Sequence, residues 1–161
     1  MTLTAKEQLL EILATPLPSK TVQRRLSYVP TKEFTSHVFD LLNECVFGGH
    51  LTRPCINFRS LLPKHWGLCI GFDEDNLYCK LRLNRGFYCV QWFVIVLAHE
   101  MAHQHQWVVQ GPHRRTHKKE PLLSHGKTFY LYKNKLAEIG IPLKVYYDDV
   151  KWFKYQQMLK I

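Results

Sequence analysis

The run His99-Glu100-Met101-Ala102-His103 has a spacing that could do chemistry. In a helix, side chains four residues apart share a face, so His99 and His103 would stand one above the other. Two imidazoles so placed can reach one metal ion, and the carboxylate of Glu100 beside them can work on a water held there. The chemistry this suggests is hydrolysis. A zinc-activated water attacks a carbonyl carbon while Glu100 serves as general base and then returns the proton to the leaving group. A catalytic zinc takes three protein ligands and keeps a fourth position open, so one more ligand must come from elsewhere in the chain.

Several residues compete for that place. The extended pattern H-E-x-x-H-x-x-G-x-x-H needs Gly and His where this chain has Gln106 and Val109, so it does not apply. A carboxylate ligand would be Glu120 or, further on, Glu138; Glu120 lies between Lys119 and Pro121, in what reads as a loop. His105 falls on the other side of the helix from His99 and His103. His113 and His117 lie in a basic stretch with Arg114, Arg115, Lys118 and Lys119. His125 follows Ser124, a residue type that caps helices, so packing can hold it still. The residues favour His125, with Glu120 as the alternative. An oxyanion donor is also needed, and Tyr130, Tyr132, Tyr146, Tyr147 and His105 are the candidates.

These groups need a rigid mount. Residues 92–97 are apolar on every side, so a helix over 90–107 is expected to run through the core. Upstream, Thr4 and Glu7 make a capping box for a short helix that Pro16 and Pro18 end. Phe34, Val38, Leu41, Leu42, Cys45 and Val46 recur at helical spacing until Gly48-Gly49. Residues 55–58, 68–72 and 77–83 read as strands; Leu77, Cys79, Leu81 and Leu83 alternate with polar residues, which predicts one buried face. Asp73 to Asn76 suits a hairpin, so the small sheet should be antiparallel at least in part. A third long helix is expected from Ser124 to Gly140, with Pro142 just beyond.

With 161 residues, 46% of them hydrophobic, the chain is expected to be a single domain over 1–161. Within it, 1–30 form an N-terminal helix and connection, 31–144 the core, and 145–161 a basic aromatic tail. The formal charge of +9 favours polyanionic partners. Arg114, Arg115, Lys118 and Lys119 sit between two candidate ligands, while Lys151 and Lys154 interleave with Trp152, Phe153 and Tyr155. Such a mixture can grip phosphates and stack on bases of single- or double-stranded DNA, or can be a solvated loop and a tail packed on the core. No signal-peptide pattern opens the chain and no apolar run is long enough to span a bilayer, so an intracellular, non-secreted protein with no membrane partner is expected. The five cysteines contain no C-x-x-C pair, which argues against a disulfide framework or a cysteine zinc ribbon.

Taken together, the motifs resemble the SprT-like (Spartan) zinc metallopeptidase family. His-Glu-Met-Ala-His at 99–103 is followed by His125-Gly126-Lys127-Thr128-Phe129, similar to the family's H-G-x-x-F segment. Asn43, Phe47, Gly49 and Leu51 match its N-x-x-x-F-x-G-x-L stretch, and Gly67-Leu68-Cys69 its G-x-C strand start; the likeness covers about residues 34 to 150. The resemblance implies that His99, His103 and His125 bind Zn2+ and that Glu100 is the catalytic acid/base. It also implies an α+β, zincin-like fold: a partly antiparallel three-stranded sheet on the H-E-x-x-H helix, with two or three further helices. The C-terminal zinc ribbon or DNA-binding tail that many members carry is not expected here, so DNA-dependent activity does not carry over with the motifs. The expected function is a zinc metallopeptidase acting on proteins, including proteins bound to nucleic acid. The other reading is a non-catalytic, DNA-associated module with a structural zinc.

Overall fold

The computed structural model describes residues 2–19, 26–61, 65–71, 79–110 and 125–145. Thr4 and Glu7 open the first helix by satisfying each other. The Glu7 main-chain N–H donates to the Thr4 hydroxyl at 3.3 Å, and the Thr4 N–H donates to the Glu7 carboxylate at 2.7 Å. Helix α1 (Ala5–Leu13) buries Ala5, Leu9 and Leu13. Helix α2 (Lys32–Cys45) is capped by the Thr31 hydroxyl, which accepts from Phe34 N–H at 3.1 Å. Val38, Phe39, Leu41 and Leu42 form its inner stripe. Gly48 and Gly49 turn the chain away at φ 70° and 74°, a left-handed conformation that glycine adopts without a Cβ clash.

Three strands follow: β1 (Cys55–Arg59), β2 (Gly67–Gly71) and β3 (Cys79–Asn84). Their spatial order is β1-β3-β2, with β3 parallel to β1 and antiparallel to β2. In register, Leu81 faces Ile56 on one side and Cys69 on the other. Along β3, Cys79, Leu81 and Leu83 are buried and Lys80, Arg82 and Asn84 half-exposed, the alternation expected of a sheet with one covered face. The hairpin expected at 73–76 lies outside the described residues.

Helix α3 (Val90–Gln110) carries the H-E-x-x-H run. Residues from Trp92 to Ala98 are buried all round, because α1 and α2, the sheet and the C-terminal segment enclose them. Each large apolar side chain so enclosed contributes about 1.5–3 kcal/mol, which makes this helix the rigid centre of the molecule. Strand β2 lies most closely against it. Among the described residues, no helix is long and apolar enough to cross a membrane.

The long helix expected from Ser124 to Gly140 does not form as one element. His125 to Thr128 make a turn, Phe129–Tyr132 a 3-10 helix, and Lys133–Glu138 a short helix, α4, that ends at Gly140 with φ 78°. Ser124 itself lies outside the described residues. Gly126 and the aromatic run from Phe129 weaken helix propensity here. The tighter 3-10 turn also puts residues i and i+3 over one another, so Phe129 and Tyr132 both face α3.

Candidate metal centre

His99 and His103 project from one face of α3 with ring centroids 4.9 Å apart. His125, on the turn before the 3-10 helix, completes the group at 5.4 Å from His99 and 4.8 Å from His103. The three donor nitrogens lie within 4.8 Å of one another. Phe129 forms the floor, its ring 4.9, 4.6 and 4.7 Å from His99, His103 and His125. Donors on one zinc ion, each about 2.0–2.1 Å away, stand roughly 3.3 Å apart, so small side-chain adjustments bring this set onto a single ion. Charge fits as well. Burial and then the neighbouring imidazoles push His99 down to about 3, and burial lowers His125. Rings held neutral are what a cation requires.

Glu100 is the next residue along the helix and therefore points about 100° away, toward β2. It is 4% exposed, and burial raises its carboxyl to about 8, with a hydrogen bond from the Cys69 backbone opposing the rise. Strand β2 leaves space for it. A Cβ on Gly67 would stand 2.6 Å from Glu100 Cγ and Oε1, closer than packed atoms tolerate. Gly71 repeats the device two strand periods on, where a Cβ would meet the Trp107 ring at 2.2 Å. Glu100 and Trp107 lie two turns apart on α3, and Gly67 and Gly71 lie on one face of β2, so helix and strand mesh side chain into notch. Between the glycines, Cys69 is half-buried and hydrogen-bonded to Cys79, and the bond and then the desolvation hold its thiol protonated.

Further out, His103 Nδ1 lies 3.2 Å from Gln106 Oε1, and Gln106 Nε2 donates to the Thr128 hydroxyl at 3.3 Å. His99 hydrogen-bonds the Lys144 backbone. None of these contacts was anticipated from sequence. The spacing of Gln106 from His103 (i, i+3) was the available signal; nothing in the sequence pointed to Lys144.

The SprT-like family matches residues 35–146. The chain belongs to the SprT-like family. No curated protein matches the sequence significantly. The SprT-like stretch begins inside α2 and runs past Gly140, so it includes both histidine-bearing segments. Its N-x-x-x-F-x-G-x-L signature also has a physical meaning here. The Asn43 amide clasps both main-chain groups of Leu51, at 2.8 and 3.1 Å, across the Gly48-Gly49 turn, while Phe47 is buried against Tyr132 and His105.

Of the residues singled out from sequence, His99, His103 and His125 come together, while Glu100, next to His99 in the chain, is buried against Gly67 and Cys69 of β2. His105 faces the other way, with the Tyr132 hydroxyl 3.1 Å from its Nε2, so these two candidate oxyanion donors are engaged with each other. Tyr130 packs edge-on against Phe129. Glu138 is exposed at the end of α4. Arg114, Arg115, Lys118, Lys119, Lys151 and Lys154 lie outside the described residues, as do His113, His117, Glu120, Tyr146 and Tyr147.

Proposed function

We propose that this SprT-like domain is a zinc-dependent metallopeptidase whose substrates are proteins. The observation that carries the reading is the convergence of His99, His103 and His125 beside a buried carboxylate that is not one of the three. A structural zinc site is closed by four protein ligands, whereas a catalytic one keeps a position open. Among the described residues, three donors converge here, which favours the enzyme over a binding module.

A zinc ion held by the three imidazoles would supply a Lewis acid and a lowered water pKa. Glu100 does the proton work. In the metal-free chain burial favours its protonated form; next to a cation its pKa is drawn back down, toward the range in which a carboxylate can act as base at neutral pH. It takes the proton from water as the water oxygen adds to the peptide carbonyl carbon. It then delivers that proton to the amine as the C–N bond breaks. Gly67 and the Cys69 N–H hold the carboxylate in place. The formal charge of +9 supports substrates associated with nucleic acid.

Glu100→Gln tests the reading, because it keeps the shape and removes the base. Cleavage of basic, DNA-binding proteins, assayed with and without DNA, should fall by about 10²–10⁴-fold while zinc content stays at that of the wild type. Undiminished cleavage by the variant would overturn the role of Glu100. Tight DNA binding with no cleavage by either protein would turn the reading to the binding module.

A further inference from the structure

Gln106 is 3% exposed, on the H-E-x-x-H helix, three residues beyond His103. A buried amide is costly unless both its ends are bonded, and an aliphatic side chain could fill the same space at no such cost. Both ends of this amide are used. Its carbonyl oxygen lies 3.2 Å from His103 Nδ1, and its NH2 donates to Thr128 Oγ1 at 3.3 Å. Thr128 stands in the segment between His125 and Phe129, so one planar group touches both chain segments that supply histidines.

We propose that Gln106 is a positioning residue for the metal centre, orienting His103 through its carbonyl and tying the His125 turn to α3 through its amide nitrogen. This role rests on the reading of the three histidines as metal ligands. A carbonyl oxygen only accepts, so the proton of a neutral His103 sits on Nδ1 and the lone pair is left on Nε2. That nitrogen is then the one offered to the cation, and the ring cannot turn without breaking the bond. Through Thr128, the same amide fixes the distance between the helix and the turn that carries His125. His99, in contrast, is bonded to the backbone of Lys144, so its partner survives side-chain substitution.

The test reads zinc affinity by competition with a chromogenic chelator on the full chain. Gln106→Met should weaken zinc by about 10–100-fold, the usual effect of losing a ligand's hydrogen-bond partner, while the metal-free melting temperature stays level or rises. Gln106→Glu keeps an acceptor for Nδ1–H and should restore affinity to the wild-type level or above. Thr128→Val breaks only the tether and should produce a smaller loss. Full affinity in Gln106→Met, or an equal loss in Gln106→Met and Gln106→Glu, would overturn the role. Should Gln106→Met not fold, long-range 1H–15N correlation on the zinc-loaded wild type decides the matter: a proton on His103 Nδ1 is expected, and metal on Nδ1 overturns the proposal. A wild type that takes up no zinc would overturn the metal centre and this role with it, whereas a normal wild type beside an unaffected Gln106→Met overturns this role alone.

Discussion

On the β2 flank of α3, room is made by leaving side chains out; on the flank facing the His125 turn, room is taken up. Gly67 and Gly71 present bare backbone to Glu100 and Trp107. On the other flank, Phe129 fills the space beneath three imidazoles, and Gln106 and Thr128 bond across it. The carboxylate is thus placed by steric allowance and the ligands by contact. The two devices should fail differently. Adding atoms harms the first, and removing them harms the second.

The largest effect is expected from Phe129→Ala. Removing the fully buried ring should cost about 3–5 kcal/mol in chemical denaturation and weaken zinc binding, because the floor under all three histidines is gone. An unchanged zinc affinity would mean that the imidazoles are held without it. Gly67→Ala comes next, at about 1–3 kcal/mol from the forced contact with Glu100. Its signature is a split: turnover of the proposed hydrolysis should drop sharply while zinc is retained. Loss of zinc with turnover per bound zinc preserved would show that the two flanks are not separable. Gly71→Ala, with a Cβ forced against Trp107, should cost a similar amount of stability yet leave turnover per folded molecule intact. The smallest effect is expected from Thr4→Ala, which breaks the capping box of α1, far from either flank; about 1 kcal/mol in melting experiments, with zinc and turnover at wild-type levels, is the expected result.

The same contrast explains which parts of the molecule could be read in the sequence. The H-E-x-x-H helix announced itself because its apolar run and its histidine spacing are both local. The Thr4 cap, the Gly48-Gly49 turn and the alternation along β3 are local in the same sense. The parallel pairing of β1 with β3 is not: Cys55 meets Lys80 although β2 lies between them in sequence, and no spacing rule encodes that. Gly67 looked like a strand start, but its reason lies in Glu100, thirty-three positions away in sequence. Gln106 reads as one more polar residue on a helix until Thr128 is folded against it. The cap signal at Ser124 and the stop at Gly140 and Pro142 argued for one long helix, and weak propensity around Gly126 with the packing of Phe129 and Tyr132 on α3 prevailed over them.

Because β3 lies between an antiparallel and a parallel neighbour, the two halves of the sheet close at different cost in chain entropy. Gly71 and Cys79 pair across eight positions, whereas Cys55 and Lys80 pair across twenty-five. Loop-closure entropy grows with separation, so the antiparallel β2–β3 pair closes at a lower entropic cost than the parallel β1–β3 pair. The strand that leaves room for Glu100 is therefore the one held in the cheaper of the two pairings. His125, further along the chain than any of the three described strands, joins that scaffold across the longest separation of all.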